Sequence, residues 1–160
     1  MKLFLELLTK IREDKECIYL DRSFIPRPPE GILLPEDVIL FYTHCGGVEL
    51  FPNKNYSMKI VAPQDFVRAN PIIAGTDGEY DRSYNWFIIG ESGSQYITID
   101  LAQERLGRCY DSFWETHALK GNCPVIATSF TELLESLYQH KGEYWYWLRD
   151  DFHSLGDAYN

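Results

Sequence analysis

"FIIGESGSQYITID", residues 87–100, decides the fold, because the same letters admit an enzyme or a hairpin. A nucleophile elbow reads G-x-S-x-G and lifts its serine off a sharp turn between a strand and a helix. In Gly90-Glu91-Ser92-Gly93-Ser94 the second glycine comes one residue early, and Ser94 occupies the place that needs it. The following "QYITID" alternates like a strand instead of opening a helix. The stretch therefore predicts two strands joined by a tight, glycine-containing turn. Alternation puts Ile97, Ile99 and Leu101 on one face and Tyr96, Thr98 and Asp100 on the other.

Working outward, strand signals recur at Val48–Phe51 and Tyr56–Val61 around the turn-forming "PNKN", and again at Arg108–Phe113 after "AQERLG". A short extended piece at Cys17–Leu20 opens the proline-rich loop "CIYLDRSFIPRPPEG". Helices flank these strands. Residues 2–14 place Phe4, Leu7, Leu8 and Ile11 on one stripe. "LPEDV" starts a second helix, with Pro35 at its first position, Glu36 and Asp37 complementing the dipole, and Gly46-Gly47 ending it. "APQDFVRA" reads as a short helix. Ser129 to Glu132 is a capping box opening a helix lined by Phe130, Leu133, Leu134, Leu137 and Tyr138. The tail "GEYWYWLRDDFHSLG" reads as one further short helix. The expected architecture is α+β: a single domain over residues 1–160, with a mainly antiparallel sheet of about five or six strands packed with three to five helices.

Composition excludes several function classes. The chain has 160 residues, 45% of them hydrophobic and 15% aromatic, enough for one core and too apolar for disorder. Its four cysteines form no C-x-x-C pair and its four histidines no H-x-x-x-H spacing, so neither a metal nor a cofactor is expected. Glu6 and Lys10 interrupt the apolar N-terminal stretch, which reads as an amphipathic helix and not an export signal. No segment reaches the length of a membrane span, and a cytoplasmic protein without membrane contact is expected. The net charge is −9, with eight acids against three bases in residues 77–115. Such a surface repels phosphate backbones, which excludes direct nucleic-acid binding, and it speeds the approach of a basic protein.

Four blocks in order carry a resemblance: "LPEDVILFYTHCGG", "WFIIGESGSQYITIDL", "GRCYDSF" and "IATSFTELLESLY". Together they resemble the SMI1/KNR4 family of the SUKH superfamily across about residues 33–138. That family shows an L-P helix closing on Gly-Gly, a G-x-x-x-G hairpin, a following strand and a late Ser-Phe helix. The family's acidic helix before the L-P motif is replaced here by the proline-rich loop, and the aromatic tail beyond residue 140 lies outside the pattern. The resemblance implies a protein without catalytic residues: a bacterial immunity protein that binds and neutralises a cognate secreted toxin, often a basic nuclease. The alternative it leaves is an intracellular regulatory or ligand-sensing domain of the same fold.

Candidate partner-binding residues follow. The loop "AGTDGEYDRSYN" carries Asp77, Glu79 and Asp81 beside Tyr80 and Tyr84, the pairing of charge and aromatic found at interface anchors, and Gly75 and Gly78 suggest mobility. An exposed acidic loop is equally the composition of a merely solvated one. Asp100 either presents a charge to a partner or accepts backbone N–H groups in the turn before "LAQE". Glu91 stands at the hairpin. Trp145 and Trp147, with Tyr144 and Tyr146, cannot all face one core, so they either cover the sheet or lie exposed. An enzyme would need a pair such as Asp100 with His117, or Glu91 with Ser92, in a deep pocket.

Overall fold

The computed structural model describes residues 1–160. Its seven strands form one antiparallel sheet in which every strand lies beside its neighbours in sequence. They are β1 (Ile18–Tyr19), β2 (Val48–Leu50), β3 (Met58–Ile60), β4 (Trp86–Ser92), β5 (Gln95–Asp100), β6 (Cys109–Asp111) and β7 (Val125–Ala127). The decisive stretch is the β4–β5 hairpin, paired from Trp86↔Asp100 to Ser92↔Gln95, with Gly93 and Ser94 as its two-residue turn. Gly93 stands at φ +60°, a conformation open to glycine at little cost. A bulge between Ile88 and Gly90 shifts the register.

Four helices complete the chain: α1 (Lys2–Glu13), α2 (Glu36–His44), α3 (Ala69–Ile73) and α4 (Phe130–Gln139). Three of them meet at Phe130, whose ring lies 6.2 Å from Phe4 of α1 and 5.1 Å, edge to face, from Phe41 of α2. Against this helical layer the sheet turns Val48, Ile60, Phe87, Ile97, Ile99 and Cys109, forming the main core. Trp86, Tyr110, Cys123, Val125 and Ala158 form a second, small core. Since Phe87 and Trp86 are consecutive in one strand, that second core lies on the opposite face of the sheet. Residues around 123 and 158 cover it.

Four details depart from the sequence reading. β7 is a seventh strand, a three-residue apolar run too short to signal itself. "APQDFVRA" makes only a 3₁₀ turn at Pro63–Asp65, and the helix begins at Ala69, beyond it. Pro35 stands one position before α2, in an extended conformation. The aromatic tail makes only a 3₁₀ turn at Tyr146–Leu148.

Candidate functional site

The loop between α3 and β4 holds five of the nine candidate residues, Asp77, Glu79, Tyr80, Asp81 and Tyr84. Asp77 and Glu79 are exposed, and Tyr80, at 97% exposure, covers nothing of its own chain. Around this tip the loop is tied down. Asn70 of α3 donates through Nδ2 to the Asp77 carbonyl at 3.2 Å and to Ser83 Oγ at 2.9 Å. Gly78 sits at φ +59°, and a Cβ there would fall 2.5 Å from Asn70 Nδ2, so glycine is required for this close approach. Gly78 therefore serves attachment, whereas Gly75, at φ +73°, has open space where a Cβ would stand.

Asp81 turns inward. Its carboxylate accepts from Ser83 N at 2.9 Å, from Ser83 Oγ at 2.5 Å and from Tyr159 Oη at 2.5 Å, capping the 3₁₀ turn Arg82–Asn85. Burial opposes its ionisation, but the hydrogen bonds from Ser83 and Tyr159 outweigh burial and hold the carboxyl below its ordinary range. Tyr84 lies under the guanidinium of Arg68, 4.1 Å from ring centre to Cζ, while Arg68 Nε donates to the Tyr84 carbonyl at 3.1 Å. Arg82 donates to the carbonyls of Ala158 and Asn160 at 2.8 and 2.9 Å.

Below the loop the network ends in His117, whose Nε2 lies 2.7 Å from Asn70 Oδ1. With that oxygen as acceptor the imidazole carries its proton on Nε2, and buried Nδ1 has no partner. Burial pushes His117 down to about 4, against the pull of Asp81, so the ring is neutral near neutral pH. None of Arg68, His117 or Tyr159 stood among the partner-binding candidates, His117 having entered only as half of a catalytic pair. Apart from Arg68, they reach the loop from distant parts of the chain, and no local pattern announces them.

The remaining candidates lie elsewhere. Asp100 is fully buried and presents no charge to a partner. Its carboxylate accepts from Ala102 N at 3.0 Å, Arg105 Nε at 2.8 Å and Tyr110 Oη at 2.6 Å, which is the turn role extended into a buried ion pair. Trp147 is 6% exposed and packs in the main core, and Trp145 is half-buried, parallel to it at 5.8 Å, with Nε1 donating to the Ser57 carbonyl. Of the two alternatives for the tail, it covers the core, with Tyr146 Oη bonded to the Ile126 carbonyl at 2.7 Å; Trp147 is thereby buried, and Trp145 keeps a partly exposed face. Glu91 stays partly exposed, 4.0 Å from Lys59 across the strand pair. It stands near the hairpin end of β4, about 17 Å along the strand from Trp86 where the acidic loop enters.

Neither imagined catalytic pair assembles. Asp100 is engaged by Arg105 and Tyr110, and His117 by Asn70. Ser92 lies next to the hairpin turn, in a shallow depression bordered by Glu49, Lys59 and Glu91. No group of three His, Cys, Asp or Glu side chains is arranged to hold a metal. What the loop can do chemically is offer two unpaired carboxylates and a projecting phenol from a fixed base.

Comparison with known proteins gives two findings. Residues 30–136 match the SMI1 / KNR4 family (SUKH-1). The chain is also 45% identical over 155 residues to the immunity protein YokJ of Bacillus subtilis (strain 168), an alignment covering 96% of this chain and 94% of that relative.

Proposed function

Because the chain belongs to the SMI1/KNR4 family (SUKH-1), we propose that it is an immunity protein that binds and neutralises a cognate toxin without turnover, the toxin being a basic protein. The similarity to YokJ, a protein named for immunity, supports that reading over nearly the whole length. The loop of Asp77, Glu79 and Tyr80 is the surface we assign to the toxin. The observation that carries this assignment is Tyr80, 97% exposed on a segment fastened at Asp77, Gly78, Asp81, Arg82 and Tyr84. An aromatic held out from a fixed base loses little freedom on binding, which is the property of an interface anchor. Exposed Ile72 of α3 and exposed Leu119, next to the Ala118 carbonyl that Tyr159 Oη also reaches, supply apolar surface near it.

The acidic charge steers the encounter and the phenol sets residence time. The test uses the cognate toxin domain. Tyr80→Ala should weaken binding at least about tenfold, mainly through faster dissociation. Asp77→Asn with Glu79→Gln should slow association about threefold to tenfold at low salt and flatten its salt dependence. Unchanged kinetics in both variants would remove the loop from the interface, leaving binding itself as a separate result.

A further inference from the structure

Away from the acidic loop, a groove of about 410 Å³ runs between α1 and α4, lined among others by Leu3, Phe4, Glu6, Leu7, Lys10 and Glu135. We propose that a second copy of this chain docks there, the two α1 helices crossing antiparallel about a two-fold axis. None of the loop residues assigned to the toxin lines this groove, so the proposal stands apart from that reading.

Two features of α1 point to its own copy as occupant. Leu3 is 79% exposed on a helix that buries Phe4, Leu8 and Ile11, and it lines the groove that would have to receive it. In an isologous contact one patch supplies both the knob and the hole. The charges are self-complementary as well. With Arg12 drawn over the Tyr19 ring, Lys2, Glu6, Lys10 and Glu13 alternate in sign along the helix, and neither Glu6 nor Lys10 has an ion-pair partner in its own chain. An antiparallel copy sets Glu6 against Lys10 twice and brings Lys2 to the Glu13–Asp14 end, with Leu7 near the axis and the helix dipoles opposed. Lys141, at the far side of the groove, is already held by Asp14 at 3.9 Å and by the Tyr138 ring at 3.8 Å. A basic toxin is a poorer fit, since the groove's lining residues balance Glu6 and Glu135 against Lys10 and Lys141 in a chain of net charge −9.

Sedimentation of the full chain from micromolar to about millimolar concentration tests this, with circular dichroism confirming the fold of each variant. A concentration-dependent dimer is expected. Leu3→Asp, placed where an acid suits the helix N-terminus, should raise the dimer dissociation constant at least about tenfold. Glu6→Lys and Lys10→Glu should each abolish self-association, yet a mixture of the two variants should dimerise, because every contact then pairs opposite charges. A monomer at all concentrations overturns the proposal. So does a dimer indifferent to Leu3→Asp, or single variants that fail to pair when mixed.

Discussion

At Asp100 one buried carboxylate accepts from three donors supplied by residues two, five and ten positions further on. Only the first of these is local enough to be read as a turn motif, so the sequence could suggest the turn acid but not the ion pair with Arg105. Asp100→Ala leaves that guanidinium, 11% exposed, and the Tyr110 hydroxyl without their acceptor, and should cost about 3 kcal/mol in urea unfolding. Toxin association should be unaffected. His117 gives a second residue-scale test. Its ordinary value of 6.5 falls to about 4 in the folded chain, so the unfolded chain binds more protons between these limits. Stability should therefore fall as pH drops from about 6.5 to 4, by up to about 3 kcal/mol from this residue. Asp111, whose carboxyl burial pushes up, opposes the loss at the acid end of that window. His117→Gln, which keeps a donor for Asn70, should flatten the slope; an unchanged slope would assign it to other groups.

Among the elements, α4 best shows the division between what a sequence displays and what packing adds. The capping box is half realised: Ser129 Oγ accepts from Glu132 N at 3.1 Å, but the Glu132 carboxylate turns to Thr128 Oγ1 at 2.8 Å. A second cap comes from α2, where Asp37 accepts from Thr131 N at 2.8 Å and Thr131 Oγ1 at 2.9 Å. In the sequence Asp37 is a first-turn acid of its own helix, and nothing there shows that it serves another helix 94 residues away. Asp37→Ala should destabilise the fold by about 1–2 kcal/mol, as much as Ser129→Ala or more, because it unties α2 from α4 as well as uncapping one turn. The hairpin was legible because turn chemistry and alternation agree within fourteen residues. β7 and α3 were not, being three and five residues long and fixed by partners elsewhere in the chain.

For the molecule as a whole, the antiparallel sheet and its helical layer follow from local patterns repeated along the chain, whereas the candidate site follows from contacts that close over long distances. The acidic loop could be located from its composition. Its attachment could not, since Tyr159 and Asp81 lie 78 residues apart and His117 and Asn70 lie 47 apart. Net charge has its consequence at this scale too. With −9 distributed over the surface, the association rate with a basic toxin should fall steeply as salt shortens the screening length, while the dissociation rate changes little. Neutralisation by binding also differs from neutralisation by catalysis in its stoichiometry. The most direct measurement is the residual activity of the cognate toxin domain as this chain is titrated into it at fixed concentration. The account predicts a linear fall that ends at one chain per toxin and does not deepen with time. Complete inactivation by a small fraction of an equivalent, or no inactivation at several equivalents, would contradict it.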